Sequence, residues 1–315
     1  MTPSSVRIGV VIPCYRVSAH VAGVIAGIPD SVSHIIAVDD ACPARSGDVA
    51  GATGDPRVTV LRHAVNQGVG GAMVTGYRKA LELGCDIVVK VDGDGQMDTG
   101  LLDRFAAPLA EGAADYVKGN RFSDFKALRK MPRARLFGNS VLSFLVKAAS
   151  GYWSLMDPTN GYTAIHRRAL ENLDLEALSR RYFFESDMLI RLNVIGAVVR
   201  DLPIPARYGD EGSSLSIPLV LIDFPPRLIK GLLRRIALKY FIYDFNVGSL
   251  YLAAGLPLML FGTTLGALEW IDSIRTGIAR PSGTVMLVAL PLILGFQLLL
   301  QAIAVDIAAE PRRRP

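Results

Sequence analysis

Lys90-Val91-Asp92-Gly93-Asp94-Gly95-Gln96 sets two carboxylates one residue apart at the end of a strand-like apolar run, Asp86 to Val91. At the carboxyl edge of a parallel sheet, Asp-x-Asp offers Mg²⁺ or Mn²⁺ one or two hard oxygen ligands and leaves the other positions to water and phosphate oxygens. Gln96 adds an amide oxygen on the same turn. A plain polar turn has the same composition, because Asp and Gly are common after strands. The surroundings decide between the two readings.

Upstream, apolar runs at Ile8 to Ile12, Ile35 to Val38, Val58 to Leu61, Ile87 to Val91 and Tyr116 to Lys118 are separated by helix-length segments. This βαβ spacing predicts a mostly parallel, helix-covered sheet of the α/β class. Ligands of such sheets bind at the carboxyl ends of the strands. There the sequence places Pro13-Cys14-Tyr15, Asp39-Asp40 and Asp92-Gly93-Asp94. The glycine-rich run Asn66 to Ala72 is a poor dinucleotide fingerprint, since its sixth position is Met73 and it follows the third strand. It reads either as a close backbone approach to a ligand at the start of a helix from about Gly70 to Leu83, or as a plain helical N-terminus.

Downstream the chemistry changes. Half of the 315 residues are hydrophobic, and the excess lies near the C-terminus. Val247 to Leu268 and Gly283 to Val305 carry no charge over 22 and 23 residues. Each is long enough to cross a hydrocarbon core of roughly 30 Å, so a two-helix transmembrane hairpin is expected within 247–315, joined by Glu269 to Ser282. Lys230, Arg234, Arg235 and Lys239 before it, with Arg312, Arg313 and Arg314 after it, place both ends on the cytoplasmic side. The apolar stretch from Ile8 is cut by Pro13, too early for a signal peptide. A cytosolic domain over 1–215 at the inner membrane is therefore expected. Juxtamembrane amphipathic helices over 216–246 follow, broken in two by Pro225-Pro226.

Cys14, Cys42 and Cys85 are scattered, odd in number and lack metal spacing, which fits a reducing compartment and small buried hydrophobes and indicates no zinc or thiol chemistry. The net charge of +5 is modest, yet Lys118 to Lys147 holds eight basic residues against one acid, Asp124. Interleaved Leu128, Met131, Leu136 and Phe137 favour a surface beside anionic lipid over a nucleic-acid site.

Val11-Ile-Pro-Cys-Tyr15, Val38-Asp-Asp40, Asn66 with Gly68 and Gly70, Asp92-Gly-Asp94 and Gly119-Asn-Arg121 together resemble family 2 glycosyltransferases of GT-A fold. With the C-terminal hairpin, the layout is similar to the polyprenyl-phosphate branch of that family. The resemblance implies a nucleotide-sugar donor (UDP- or GDP-sugar), a polyprenyl phosphate acceptor, a membrane partner and a homo-oligomer. It implies that Pro13, Tyr15, Asp39 or Asp40, Gly68 and Asp92 bind the nucleotide sugar, and that Asp92, Asp94 and Gln96 hold the Mg²⁺ or Mn²⁺. Arg121, Arg135 and Arg207 would bind the acceptor phosphate, and Asp94, Arg121, Arg135 and Asp187 would form the catalytic set. The family's Asp-x-Thr-Ser-Gly-Phe-Arg segment is Asp157 to Thr163 here, with Thr163 in place of the arginine, and Phe-x-Glu-x-Asp is Phe183 to Asp187. At the base and ribose end the chain departs from the pattern, with Arg16-Val17 and Cys42-Pro43-Ala44. Transfer to a sugar hydroxyl, with Asp187 as general base, is the alternative activity. A membrane-anchored non-catalytic partner is the alternative of another class.

Overall fold

The computed structural model describes residues 6–123, 133–205 and 217–313, apart from the side chains at 123, 133–137 and 217–222. The chain divides into two compact units, Met1–Arg235 with Pro311–Pro315, and Ile236–Glu310.

In the first unit seven strands, among the described residues, form one sheet in the order β3-β2-β1-β4-β6-β5-β7. They are β1 Ile8–Cys14, β2 Val32–Asp39, β3 Val58–Arg62, β4 Ile87–Lys90, β5 Tyr116–Asn120, β6 Thr163–His166 and β7 Val199–Pro203. All neighbours are parallel except β6, which runs antiparallel to both β4 and β5. The five expected strands are present; all but β4, which stops one residue short at Lys90, are longer than expected.

Alternation along the strands builds a core on each face of the sheet. Val11, Ile36, Val38 and Val88 enter one apolar cluster, while Val10, Ile12, Ile35, Ala37, Ile87 and Val89 enter the other. Such two-sided burial is why the central strands read as continuous apolar runs. The covering helices are α1 Val21–Ala26, α2 Ser46–Gly51, α3 Gly68–Glu82, α4 Leu102–Ala110, α5 Arg133–Ser150, α6 Arg167–Glu171, α7 Phe184–Val194 and α8 Ile217–Ile236.

Helix α8 corrects one expectation. Pro225 and Pro226 lie inside it and do not divide it. Each proline removes one intrahelical hydrogen bond, but Phe224 and Leu228 on either side are buried in the core, with Phe224 edge-on to Phe183 at 5.4 Å between ring centroids. Packing holds the helix through the two prolines. Its last turns carry another departure: Arg235, read from sequence as one of the basic residues flanking the membrane on the cytoplasmic side, is fully buried. It donates from Nε to Ala149 O at 2.9 Å and from Nη2 to Ala148 O at 3.1 Å. These carbonyls end α5, where Gly151 turns left-handed at φ 75°. A Cβ on Gly151 would sit 2.5 Å from the Arg235 guanidinium.

The second unit begins with a wide-turned helical stretch, Ala237–Tyr243, and continues into α9 Val247–Thr276 and α10 Ser282–Ala308. Asn246 caps α9 by accepting from Gly248 N at 2.8 Å. Both helices are long and apolar enough to cross a membrane, and little of either is buried, unlike the core helices of a soluble domain. Helix α9 runs through part of the expected link, which shrinks to the turn after Gly277, left-handed at φ 67°. Gly255, Gly262 and Gly295 let the two helices touch closely: a Cβ on Gly295 would lie 2.8 Å from Met259 N. Tyr240 Oη donates to Asp306 at 2.8 Å, and Lys239 Nζ to Ala309 O at 3.1 Å.

Candidate active site

The carboxyl ends of β1, β2 and β4 lie side by side, and the turn after β4 carries Asp92, Asp94 and Gln96 into one cavity with Asp98 and Arg121. Gly95 takes φ 79°, which closes the turn. Asp92 Oδ1 accepts from Lys90 Nζ at 2.7 Å, and Asp94 Oδ1 from Gln96 N at 3.0 Å. The donor set is three carboxylates and an amide, all oxygen, which suits a hard divalent cation. Among the described residues no three acids, histidines or cysteines are gathered closely enough to hold an ion by themselves. A cation here would share its coordination with ligands from outside the chain, as Mg²⁺ does with substrate phosphates.

Arg121 follows β5 directly. Its Nε and Nη2 donate to the two oxygens of Asp157 at 2.8 and 3.2 Å, and its backbone N–H reaches the same carboxylate at 3.3 Å. This two-point pairing with a wholly buried carboxylate fixes the plane of the guanidinium. Of the three arginines assigned to the acceptor phosphate, only Arg121 is placed in the cavity. The side chain of Arg135, on α5, lies outside the described residues, as does Arg207 entirely.

At the base and ribose end Pro13 is half-buried in β1, and Tyr15 is exposed with the Arg16 guanidinium 5.4 Å over its ring. Asp39 and Asp40 are both buried and engaged with backbone. Asp39 accepts from Cys42 N at 2.8 Å and Gly47 N at 2.7 Å. Asp40 accepts from Gln67 N and Gly68 N, each at 2.8 Å, and pairs with His63 Nδ1 at 2.7 Å. The two carboxylates thus pin the loops after β2 and β3. Gly68 sits at φ 82°, a conformation that admits glycine. Arg16, Ala41 and Arg45, at φ 59°, 51° and 50°, are non-glycine residues in the left-handed region. All three belong to the loops in which the sequence departs from the resembled pattern, and such strain gathers at ligand sites.

Asp187 is buried on α7, where it accepts from Ser179 N at 2.8 Å and Arg191 Nε at 3.0 Å. Its neighbour Glu185 is the acid nearer the cavity chemistry, with Oε1 3.5 Å from Lys90 Nζ. Lys90, to which the sequence reading gave no role, and Lys118, which it counted in a basic surface beside lipid, are both fully buried, because each sits on a central strand. Burial alone would lower the Lys90 pKa, but the Asp92 and Glu185 carboxylates outweigh it and raise the pKa above its usual value. Burial pushes the Lys118 ammonium down to about 8, against the pull of Glu185 and Asp157. The available signal was a lysine inside an otherwise apolar strand, Val89-Lys90-Val91 and Val117-Lys118.

Residues 9–174 match the profile of Glycosyl transferase family 2. A UDP-N-acetylglucosamine–dolichyl-phosphate N-acetylglucosaminyltransferase of Methanococcus voltae is 34% identical over 152 residues, 48% of this chain and 60% of that protein. This chain therefore spans less than two thirds of that relative. An undecaprenyl-phosphate mannosyltransferase of Micrococcus luteus is 32% identical over 213 residues, covering 66% of this chain and 86% of that protein. Glucosyl-3-phosphoglycerate synthase from Mycobacterium tuberculosis, solved with Mn²⁺, UDP and glucosyl-3-phosphoglycerate, superposes with a TM-score of 0.55 at 20% identity. That match covers 74% of this chain and 80% of the synthase, and at this identity it speaks for the GT-A fold alone. The matched stretch runs from β1 through the Asp92–Asp94 turn and Arg121 to just beyond α6, and with the fold it makes the chain a member of glycosyl transferase family 2.

Proposed function

We propose that the protein transfers a sugar from a nucleotide-sugar donor to a polyprenyl phosphate at the cytoplasmic face of a membrane. The observation that carries this reading is Arg121, locked on Asp157 and lining the same cavity as Asp92 and Asp94. One wall gathers carboxylates suited to a metal diphosphate, and the other presents a fixed guanidinium suited to a second phosphate. The relatives named for dolichyl and undecaprenyl phosphate support the acceptor class. The two apolar helices and their basic flanks supply the membrane anchor and its orientation.

Asp92, Asp94 and Gln96 would hold Mg²⁺ or Mn²⁺, which stabilises the charge that builds on the departing nucleoside diphosphate. An oxygen of the lipid phosphate attacks the anomeric carbon, the bond from that carbon to the diphosphate breaks, and the products are the glycosylated lipid phosphate and the nucleoside diphosphate. A phosphate monoester has its second pKa near ~6, so at neutral pH the nucleophile is already ionised and needs no general base. The task left to the chain is to bring two anions together, and Arg121, joined by Arg135 and Arg207, would perform it. The alternative acceptor, a sugar hydroxyl with Asp187 as base, is disfavoured by the engagement of Asp187 with Ser179 N and Arg191.

The test is transfer from a panel of labelled UDP- and GDP-sugars to undecaprenyl phosphate by the protein in membranes, with and without chelator. Product with at least one donor, lost in chelator, is expected. Labelled sugar appearing only on lipid-linked oligosaccharide would replace this reading with the hydroxyl-acceptor one.

A further inference from the structure

Lys90 on β4 and Lys118 on β5 flank the same residue of β6, Thr163, so that the two buried lysines stand in one row across three strands. Thr163 occupies the position where the resembled pattern has arginine. Both lysines reach the segment that leads into β6. Lys90 Nζ donates to Gly161 O at 3.1 Å, and Lys118 Nζ to the preceding carbonyl, Asn160 O.

Each lysine also connects to one wall of the cavity. Lys90 holds Asp92 Oδ1 directly. From the Lys118 side, Asn160 Nδ2 donates to Asp157 Oδ2 at 3.2 Å, and Asp157 carries Arg121. A polar path thus runs from Asp92 through Lys90, residues 161 and 160 and Asp157 to Arg121. It has little slack: a Cβ on Gly161 would lie 2.8 Å from Lys90 Nζ and 3.1 Å from Asp92 Oδ2. Likewise a Cβ on Gly119 would lie 3.3 Å from Asn160 Nδ2.

A buried ammonium on a backbone carbonyl is a poor way to gain stability, since an apolar side chain of like volume often does as well or better. Its justification lies in fixing the carbonyl. We propose that Lys118, with Lys90 as its counterpart, is a positioning residue that sets Arg121 at a fixed place relative to Asp92, and so the acceptor phosphate relative to the donor diphosphate. The names of the two substrates rest on the proposed function; the positioning of Arg121 does not.

The full-length protein in nanodiscs is compared with Lys118→Met, Asn160→Ala and the double variant. Four quantities are read: the melting temperature, Mn²⁺ affinity by electron paramagnetic resonance, the rate of Arg121 modification by phenylglyoxal in mapped peptides, and KM for each substrate. Lys118→Met should keep its melting temperature and bind Mn²⁺ within about twofold of wild type, while Arg121 labels about fivefold faster and KM for undecaprenyl phosphate rises about tenfold, the sensitivity expected of a misplaced binding group. Asn160→Ala should act in the same direction, and the double variant should add little to either single change.

Labelling of Arg121 at the wild-type rate in folded Lys118→Met overturns the proposal. So does a parallel loss of Mn²⁺ affinity and melting temperature, which marks a merely structural lysine. If Lys118→Met does not fold, unchanged labelling in Asn160→Ala overturns it alone. A wild-type protein with no transfer to the lipid phosphate would end the proposed function, while the labelling and Mn²⁺ readouts would still decide the role of Lys118.

Discussion

Asp94 and Asp187 were both assigned to catalysis from sequence, and their surroundings separate them. Asp94 lines the cavity, whereas Asp187 is engaged by Ser179 N and Arg191, which belong to the protein's own scaffold. Asp94→Asn should therefore cost at least about 10²-fold in turnover, the scale of removing a group that stabilises developing charge. Asp187→Asn keeps an oxygen for Ser179 and should cost about tenfold or less, since only positioning is touched. Turnover of both variants at saturating substrates gives the comparison, and equal losses would return Asp187 to the role of base. Asp201 provides a pH prediction. Burial lifts its carboxyl from the ordinary 3.8 to about 6, even though Met156 N donates to it at 2.6 Å. Between these values the folded chain holds a proton that the unfolded chain has released, so this group's contribution to stability falls as pH rises through that window and stays low above it. Asp201→Asn should raise the melting temperature at pH 7.5, by about 1–3 kcal/mol in free energy, with the gain fading below pH 4. The Asp-x-Asp turn and Arg121 were legible because the residue types state their chemistry. Asp157 as the partner of Arg121 was not, because the pair spans 36 positions and is brought together by the segment entering β6. The actual partners of Asp39 and Asp40 are largely backbone N–H groups, which leave no trace in side-chain identity.

Elements with a strong period were legible, and those defined by a neighbour were not. The strands β1 to β5 declare themselves by apolar runs between turns. Four-residue β6 does not declare its direction, because composition does not distinguish a parallel strand from an antiparallel one, and its pairing is non-local. In α8 the two prolines gave a true local signal that tertiary packing overrode. The join between α8 and α5 yields a further prediction. Arg235→Leu retains bulk but leaves the carbonyls of Ala148 and Ala149 without these donors at a buried helix end. A loss of about 1–3 kcal/mol is expected for such groups. Chemical denaturation of the two proteins would measure it, and an unchanged midpoint would show that water replaces the guanidinium.

At the scale of the molecule, the sequence reading set a domain over 1–215, juxtamembrane helices over 216–246 and a hairpin over 247–315, whereas the structure counts nearly all of α8 with the first unit, whose continuous run ends at Arg235. A chain ending there keeps Phe224 and Leu228 in the core, and loses from the first unit an exposed ion pair, Arg313 with Asp115, of the kind worth little. It should remain folded. Helix α8 would still present Lys230 and Arg234 beside the exposed Ile229 and Leu233, so adsorption to anionic vesicles that is reversed by salt is expected. A chain that stays in solution with such vesicles at low salt would count against an interfacial role for α8. The burial of Arg235 also bears on how the protein is made. The side chain that secures the end of α5 is the last of the first unit's continuous run, and Val247, the start of the first apolar helix, is 12 positions later. At a synthesis rate of about 5–20 residues per second, the ribosome adds that interval in roughly 0.6 to 2.4 seconds. If the hairpin enters a bilayer as proposed, closure of the first unit and delivery of the hairpin would be nearly simultaneous, and a delay in folding would leave the first unit open as the hairpin emerges.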